Sequence, residues 1–316
     1  MRIGKLRIYG NPKMQIHFCV LLWGFTAILG RLITLPALPL VWWRMVSVSA
    51  VLLVVPWVWK QLRKMSARLV AGYSAAGALL SLHWLTFYGS VKLANASVAA
   101  TCMALTTVLL ALVEPLANRR SLNLPEISLG AATVPGVLLV IGAVPQEMGT
   151  GVLLGVLSAV LLAGLGILNK RLVDQAHPVT ITALEFAAGA ILLSILALAI
   201  SGSRSTFAIP DMYDTFLLLV LVFGCTILPF IISFAALRYI SAFYAQLAIN
   251  LEPLYVVLIA AILLGEHRTL GWSFYLGTAI MVGAVLVHPL LAARSKHRRA
   301  QADALRDSHR ESNPTV

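Results

Sequence analysis

The chain has 316 residues, of which 59% are hydrophobic and 11% charged, with a net charge of +12. A water-soluble domain carries roughly 25% charged residues, so too little polar surface exists here to wrap the apolar material in water. That excludes a soluble enzyme, a nucleic-acid-binding domain and a disordered tail protein. The basic residues fall between apolar runs and at the chain ends, as expected beside an anionic membrane surface.

A helix that crosses a bilayer needs about 20 mostly apolar residues. The sequence predicts ten such spans, at 15–33, 37–58, 69–91, 96–116, 127–145, 150–169, 178–200, 213–236, 241–264 and 269–291. The first follows basic residues, as a signal peptide would, but runs on into Arg31 without a small-residue cleavage site and is read as retained. The longest loop is Ser201–Asp214, so no soluble domain is inserted. Cys19, Cys102 and Cys225 lie inside apolar runs at no metal-ligand spacing and read as small packing residues, without disulfide or metal.

Orientation follows from the basic residues. With the N-terminus inside, nineteen of the 24 Lys and Arg fall on that side, six of them between Arg294 and Arg310. Arg31, Lys92, Arg204 and Arg268 fall outside, and Arg44 lies within the second span. Both termini are therefore expected in the cytoplasm of a bacterial-type inner membrane. The expected organisation is a cytoplasmic segment 1–14, five spans over 15–145, five more over 150–291, and a polar tail 292–316 too poor in apolar residues to fold.

The two five-span units repeat each other. Leu22-Trp23-Gly24 leading to Gly30-Arg31-Leu32 is answered by Leu162-Ala163-Gly164 leading to Lys170-Arg171-Leu172, an offset of 140. Gly130, Gly136 and Gly142 before Ala143-Val144 are answered by Gly271, Gly277 and Gly283 before Ala284-Val285, an offset of 141. Between these anchors Lys92 corresponds to Arg238 at 146, the longer Ser201–Asp214 loop absorbing the slip. Five spans per copy is an odd number, so the second copy must enter the membrane upside down. The fold class expected is an all-α polytopic membrane protein of ten transmembrane helices in two inverted five-helix repeats, the layout of secondary transporters that bind substrate near the midplane.

Several motifs then resemble a known family. Leu22-Trp23-Gly24 in the first span, His83-Trp84 to Tyr88 in the third, and Leu251-Glu252-Pro253 to Leu264-Gly265-Glu266 around the ninth are similar to the EamA type of the drug/metabolite transporter superfamily, over about residues 15–291. The resemblance implies secondary transport, mostly export, of amino acids, other metabolites or drugs. The chain departs from a symmetric pattern at one point. Glu114-Pro115 stands 16 residues before Gly130, whereas Glu252-Pro253 stands 19 before Gly271, so the two glutamates are not equated.

Ionisable groups inside a membrane are costly and invite a functional reading. Arg44 follows Trp42-Trp43 in the second span, and adding 141 gives Glu185 in the seventh. Arg44 is a candidate to bind a substrate carboxylate; the alternatives are an ion pair with Glu185 or another acid, or a snorkelling side chain. Glu252 lies mid-span, where Pro253 leaves the carbonyl of Ile249 without its helical donor. Tyr244, Glu252 and Tyr255 recur at helical spacing beside Asn250, a face suited to small amphipathic molecules. The bland alternative for Glu252 is a fixed cap or ion pair. His83, Trp84 and Tyr88 cluster on the third span, where an aromatic stripe also serves packing; Trp23 and Trp42 are candidate aromatic walls. Glu114 and Glu266 read as boundary residues.

The candidate substrate-binding set is thus Arg44, His83, Trp84, Tyr88, Tyr244, Asn250, Glu252 and Tyr255, with Glu252, His83 and Glu185 as candidate proton carriers. No catalytic, metal or cofactor site is expected: paired diphosphate aspartates, His-Glu-x-x-His and a phosphate-cradling loop are all missing from the sequence. The expected function is non-ATP export of a small metabolite such as an amino acid, or a drug-like compound, by alternating access. A membrane-embedded lipid or isoprenoid enzyme, or a lipid scramblase, is the alternative. Expected partners are the substrate, protons as candidate coupling ion, and lipids, with no nucleic acid; monomer and dimer stay open.

Overall fold

The structure, a computed structural model, describes residues 11–117, 124–172, 175–200, 203–236, 239, 248–249, 251–284 and 286–287. The described residues are helical, with no strand among them. The first ten residues and the tail 292–316 lie outside them.

The first helix, α1 (Pro12–Leu32), opens on Asn11, whose side chain accepts from the N–H of Lys13 at 2.9 Å, and on Pro12, whose missing N–H costs nothing at that position. The predicted second span is not one straight helix. α2 (Ala37–Leu53) stops and α3 (Pro56–Leu62) departs at 93°. Pro56 causes this: it has no N–H to continue the ladder, and it drives Val55 into extended backbone (φ −75°, ψ 111°). α4 (Ala67–Leu93) is capped by Ser66, which accepts from Leu69 N.

The fourth predicted span is interrupted once. α5 (Ala96–Met103), capped by Asn95 through Val98 N at 2.8 Å, gives way at Ala104 to α6 (Leu105–Ala117). α7 (Leu124–Ala143) carries Pro135 inside it. α8 (Gly149–Leu172) and α9 (Pro178–Ala199) follow, the latter capped by His177. α10 (Met212–Leu219) runs through a π-helical stretch, Val220–Ile227, into α11 (Leu228–Ala236). Of the ninth span, α12 (Glu252–Leu263) and residues 248–249 and 251 are described; the last helix, α13, is Trp272–Ala284.

Among the described residues, five helices are long and apolar enough to cross a membrane, six if the bent α2–α3 pair counts as one, and four shorter apolar helices accompany them. α4 packs along α8 and α9, and α2 along α9; α1 lies against α11 and α12, while α5 lies between α8 and α12. Lipid tails are as apolar as leucine, so close van der Waals approach rather than water exclusion holds such helices together. Gly77 on α4 is the clearest case. A Cβ there would collide with the backbone carbonyl of Glu185 on α9, and one on Gly189 would come within 2.9 Å of the Gly77 carbonyl. Buried Val41, Met45, Leu80, Phe186 and Leu193 fill the surrounding core.

Candidate functional site

Helices α1, α2, α4, α8, α11 and the start of α12 enclose a cavity of about 260 Å³. Trp23 and Thr26 come from α1, Arg44 from α2, and Leu80, His83, Trp84 and Phe87 from α4. Met103, Ala104, Thr106 and Thr107 come from the α5–α6 break, Leu162 and Leu165 from α8, Phe230 from α11, and Ile249, Glu252 and Pro253 from around the start of α12. The α5–α6 interruption and the start of α12 therefore border the same space.

Arg44 is 2% exposed, and a buried guanidinium is tolerable only with partners. Its Nε donates to Thr226 Oγ1 at 2.9 Å and one Nη donates to the Tyr88 hydroxyl at 2.8 Å. Its plane lies 3.5 Å above the Trp84 ring, a cation–π arrangement. The π-helical stretch explains how Thr226 is presented. Its hydroxyl donates to the carbonyl of Leu221, five residues back, at 2.8 Å, leaving the oxygen lone pair for Arg44; such stretches recur at functional sites. Among the described residues, the groups that accept hydrogen bonds from Arg44 are thus neutral, while Glu252 lies within electrostatic reach in the same cavity.

Glu185 does not pair with Arg44. It is buried on α9, where its Oε1 has no hydrogen-bond partner among the described residues, and it does not line the cavity. His83 joins α4 to α8. Its Nδ1 lies 3.0 Å from the Ser158 carbonyl and 2.8 Å from Ser158 Oγ, and Ser158 Oγ donates to the His83 carbonyl at 2.9 Å. With the proton placed on Nδ1, both bonds are satisfied at once.

Of the sequence-predicted set, Arg44, His83, Trp84 and Glu252 meet at the cavity. Tyr88 stands behind Arg44, fully buried, as its hydrogen-bond partner. Tyr255 packs with Trp23 and Ile249 against Ile16, Val20 and Ala248, at the α1–α12 contact rather than on the cavity wall. Tyr244 and Asn250 lie outside the described residues. Of the candidate aromatic walls, Trp23 lines the cavity, whereas Trp42 stacks edge-on against Trp43 and Phe207 elsewhere. Sequence reasoning missed Thr226, Ser158 and the phenyl wall of Phe230. Thr226 and Ser158 are single hydroxyls inside apolar runs. The signal available was that a polar residue in a span usually serves a neighbouring helix.

Comparison with known proteins bears on fold and family. No curated protein matches the chain. A solved structure described only as the crystal structure of a protein superposes with a TM-score of 0.59 at 16% identity, covering 90% of this chain and 98% of that one. At that identity the likeness is one of fold. Residues 149–288, which run from α8 through α13 and include Glu252, match the model of the EamA-like transporter family. Over that segment, somewhat under half of its length, the chain is similar to the EamA-like transporters, a family of the drug/metabolite transporter superfamily.

Proposed function

We propose that the chain is a secondary transporter that exports a small metabolite, such as an amino acid, or a drug-like compound across the inner membrane by alternating access. The observation that carries this reading is the cavity. A cation hydrogen-bonded to neutral groups among the described residues, a carboxyl and an apolar wall surround one space bordered by the α5–α6 interruption and the start of α12, where transporters of inverted-repeat design bind their cargo. Arg44 would receive a substrate carboxylate, the Trp84, Phe87 and Phe230 side an apolar body, and Glu252 a coupling proton.

The layout proposed is ten spans in two inverted repeats, over 15–145 and 150–291. Its support is a contact pattern that maps onto itself when the halves are exchanged. α4 of the first half lies on α8, as α11 of the second lies on α1; α5 lies on α8, as α12 lies on α1. Gly136 and Gly277, 141 residues apart, approach so closely that a Cβ on either would sit within 2.8 Å of the other's carbonyl. At the 146 offset, Thr106 and Thr107 correspond to Glu252 and Pro253, and all four line the cavity.

The test is uptake by reconstituted proteoliposomes of a panel of amino acids and drug-like cations, with and without a pH gradient. Saturable flux of a panel member supports the reading. Absence of any solute flux, with labelled phospholipid exchanged between leaflets instead, overturns it in favour of a scramblase.

A further inference from the structure

Two buried carboxylates of the second half grip the first half at one end of the bundle. Asp214, 1% exposed near the start of α10, accepts from both the backbone N–H and the hydroxyl of Thr34, each at 2.7 Å. Thr34 lies in the turn between α1 and α2. Glu266, 6% exposed just beyond α12, accepts from the N–H groups of Ala96 and Ser97 at 3.0 and 2.9 Å, on the first turn of α5. Lys92, at the end of α4, donates to the carbonyl of Ile33 and lies within electrostatic reach of Asp214 and Arg31. Arg31 donates to the Val91 carbonyl at 3.4 Å.

These contacts join the halves and leave their own helices' ends to others. α10 is capped by Asp211, which accepts from Asp214 N at 2.8 Å, and α5 already has Asn95. Charge-assisted bonds of this kind are short and strong when shielded from water, yet water can replace every partner once the end opens. Contacts of that character suit a joint that must hold and then release. At the opposite end the described ties between halves include a neutral hydrogen bond from the Tyr73 hydroxyl to the Leu172 carbonyl (2.7 Å) and an edge contact of Trp57 on His177. The cavity lies between.

We propose that Asp214 and Glu266 form the outer gate: they hold the cavity shut at the end remote from the basic segments, and their release opens it there. The proposal rests on the transport reading above, so its test reads gate opening rather than flux. In a background with Cys19, Cys102 and Cys225 replaced by Ala, Leu80→Cys places a thiol on the cavity wall. A membrane-impermeant maleimide is applied from the outer side of oriented vesicles.

Asp214→Asn and Glu266→Gln each raise the outside labelling rate about tenfold, the factor equivalent to ~1.4 kcal/mol of closed-state preference. Thr34→Val, which removes one arm of the clamp without touching a charge, gives a smaller increase and keeps the test decisive if a charge variant fails to fold. Asp211→Asn, which acts only within α10, leaves the rate unchanged. Equal labelling in parent and all three clamp variants, or an increase from the inner side alone, overturns the gate. Solute flux in wild type without any labelling response removes the gate and spares the transport reading. A labelling response in a protein that moves no solute does the reverse.

Discussion

Arg44→Lys separates recognition from architecture, because it keeps the charge and removes the planar fork. In the wild type, Nε is committed to Thr226, one Nη to Tyr88, and the guanidinium face to Trp84. The second Nη is the edge that the proposed reading assigns to a substrate carboxylate. A lysine ammonium would have to divide three donors among Thr226, Tyr88 and the substrate, and it lacks the flat face that lies on Trp84. The deficit is about one hydrogen bond to a charged group, worth ~1.5–3 kcal/mol. That corresponds to roughly a ten- to hundredfold rise in apparent KM for substrates bearing a carboxylate. The assay is initial uptake in proteoliposomes with matched amounts of monodisperse protein, comparing a carboxylate-bearing probe with a neutral amphipathic one. The neutral probe should be unaffected. An equal loss for both, or a loss of folded protein, would show that Arg44 is a structural cation and refute its role in recognition.

Glu252→Gln keeps shape and hydrogen bonding but cannot titrate; since Glu252 is the sole acid among the described cavity-lining residues, gradient-driven accumulation should vanish while gradient-free exchange persists. If both fluxes match wild type, Glu252 carries no coupling proton. Gly77→Ala drives a methyl group into the Glu185 backbone, and overpacking of this kind costs ~1–3 kcal/mol. Its Tm should fall by several degrees, whereas Gly149→Ala, with nothing within 4 Å of the new Cβ, should leave Tm in place. Equal Tm values for the two would refute the close α4–α9 crossing.

The broad architecture was legible because a bilayer demands long apolar runs and leaves their spacing in the sequence. What escaped depends on contacts between runs. The right angle at Val55 follows from Pro56, which the sequence shows, yet hydropathy runs on through Trp57-Val58-Trp59 and hides the break. Arg44 and Glu252 stood out as charges in apolar surroundings, and they do share a cavity. Tyr255 did not follow Glu252 into it: three residues of helix turn it toward α1, and helical spacing alone cannot say which stripe meets which neighbour. The Arg44–Glu185 alternative failed for a related reason. In the proposed inverted repeats, equivalent positions lie at mirrored depths and meet only near the midplane, contact also needs facing sides, and Thr226 and Tyr88 occupy the partners' places instead.

The right-angled α3 also acts as a depth gauge for the charge it precedes in space. Trp57 and Trp59 are 40% and 49% exposed beside exposed Lys60, the make-up of a segment that floats at the headgroup level. From its root at Val54, α2 climbs ten residues to Arg44, a rise of about 15 Å at 1.5 Å per residue. A hydrocarbon layer is about 30 Å thick, so with α3 at the headgroup level and α2 upright, Arg44 would stand near the midplane. In a thicker bilayer α3 cannot sink to follow the far leaflet, and the mismatch would be met by local thinning of the bilayer around the spans, with the height of the guanidinium above α3 already set.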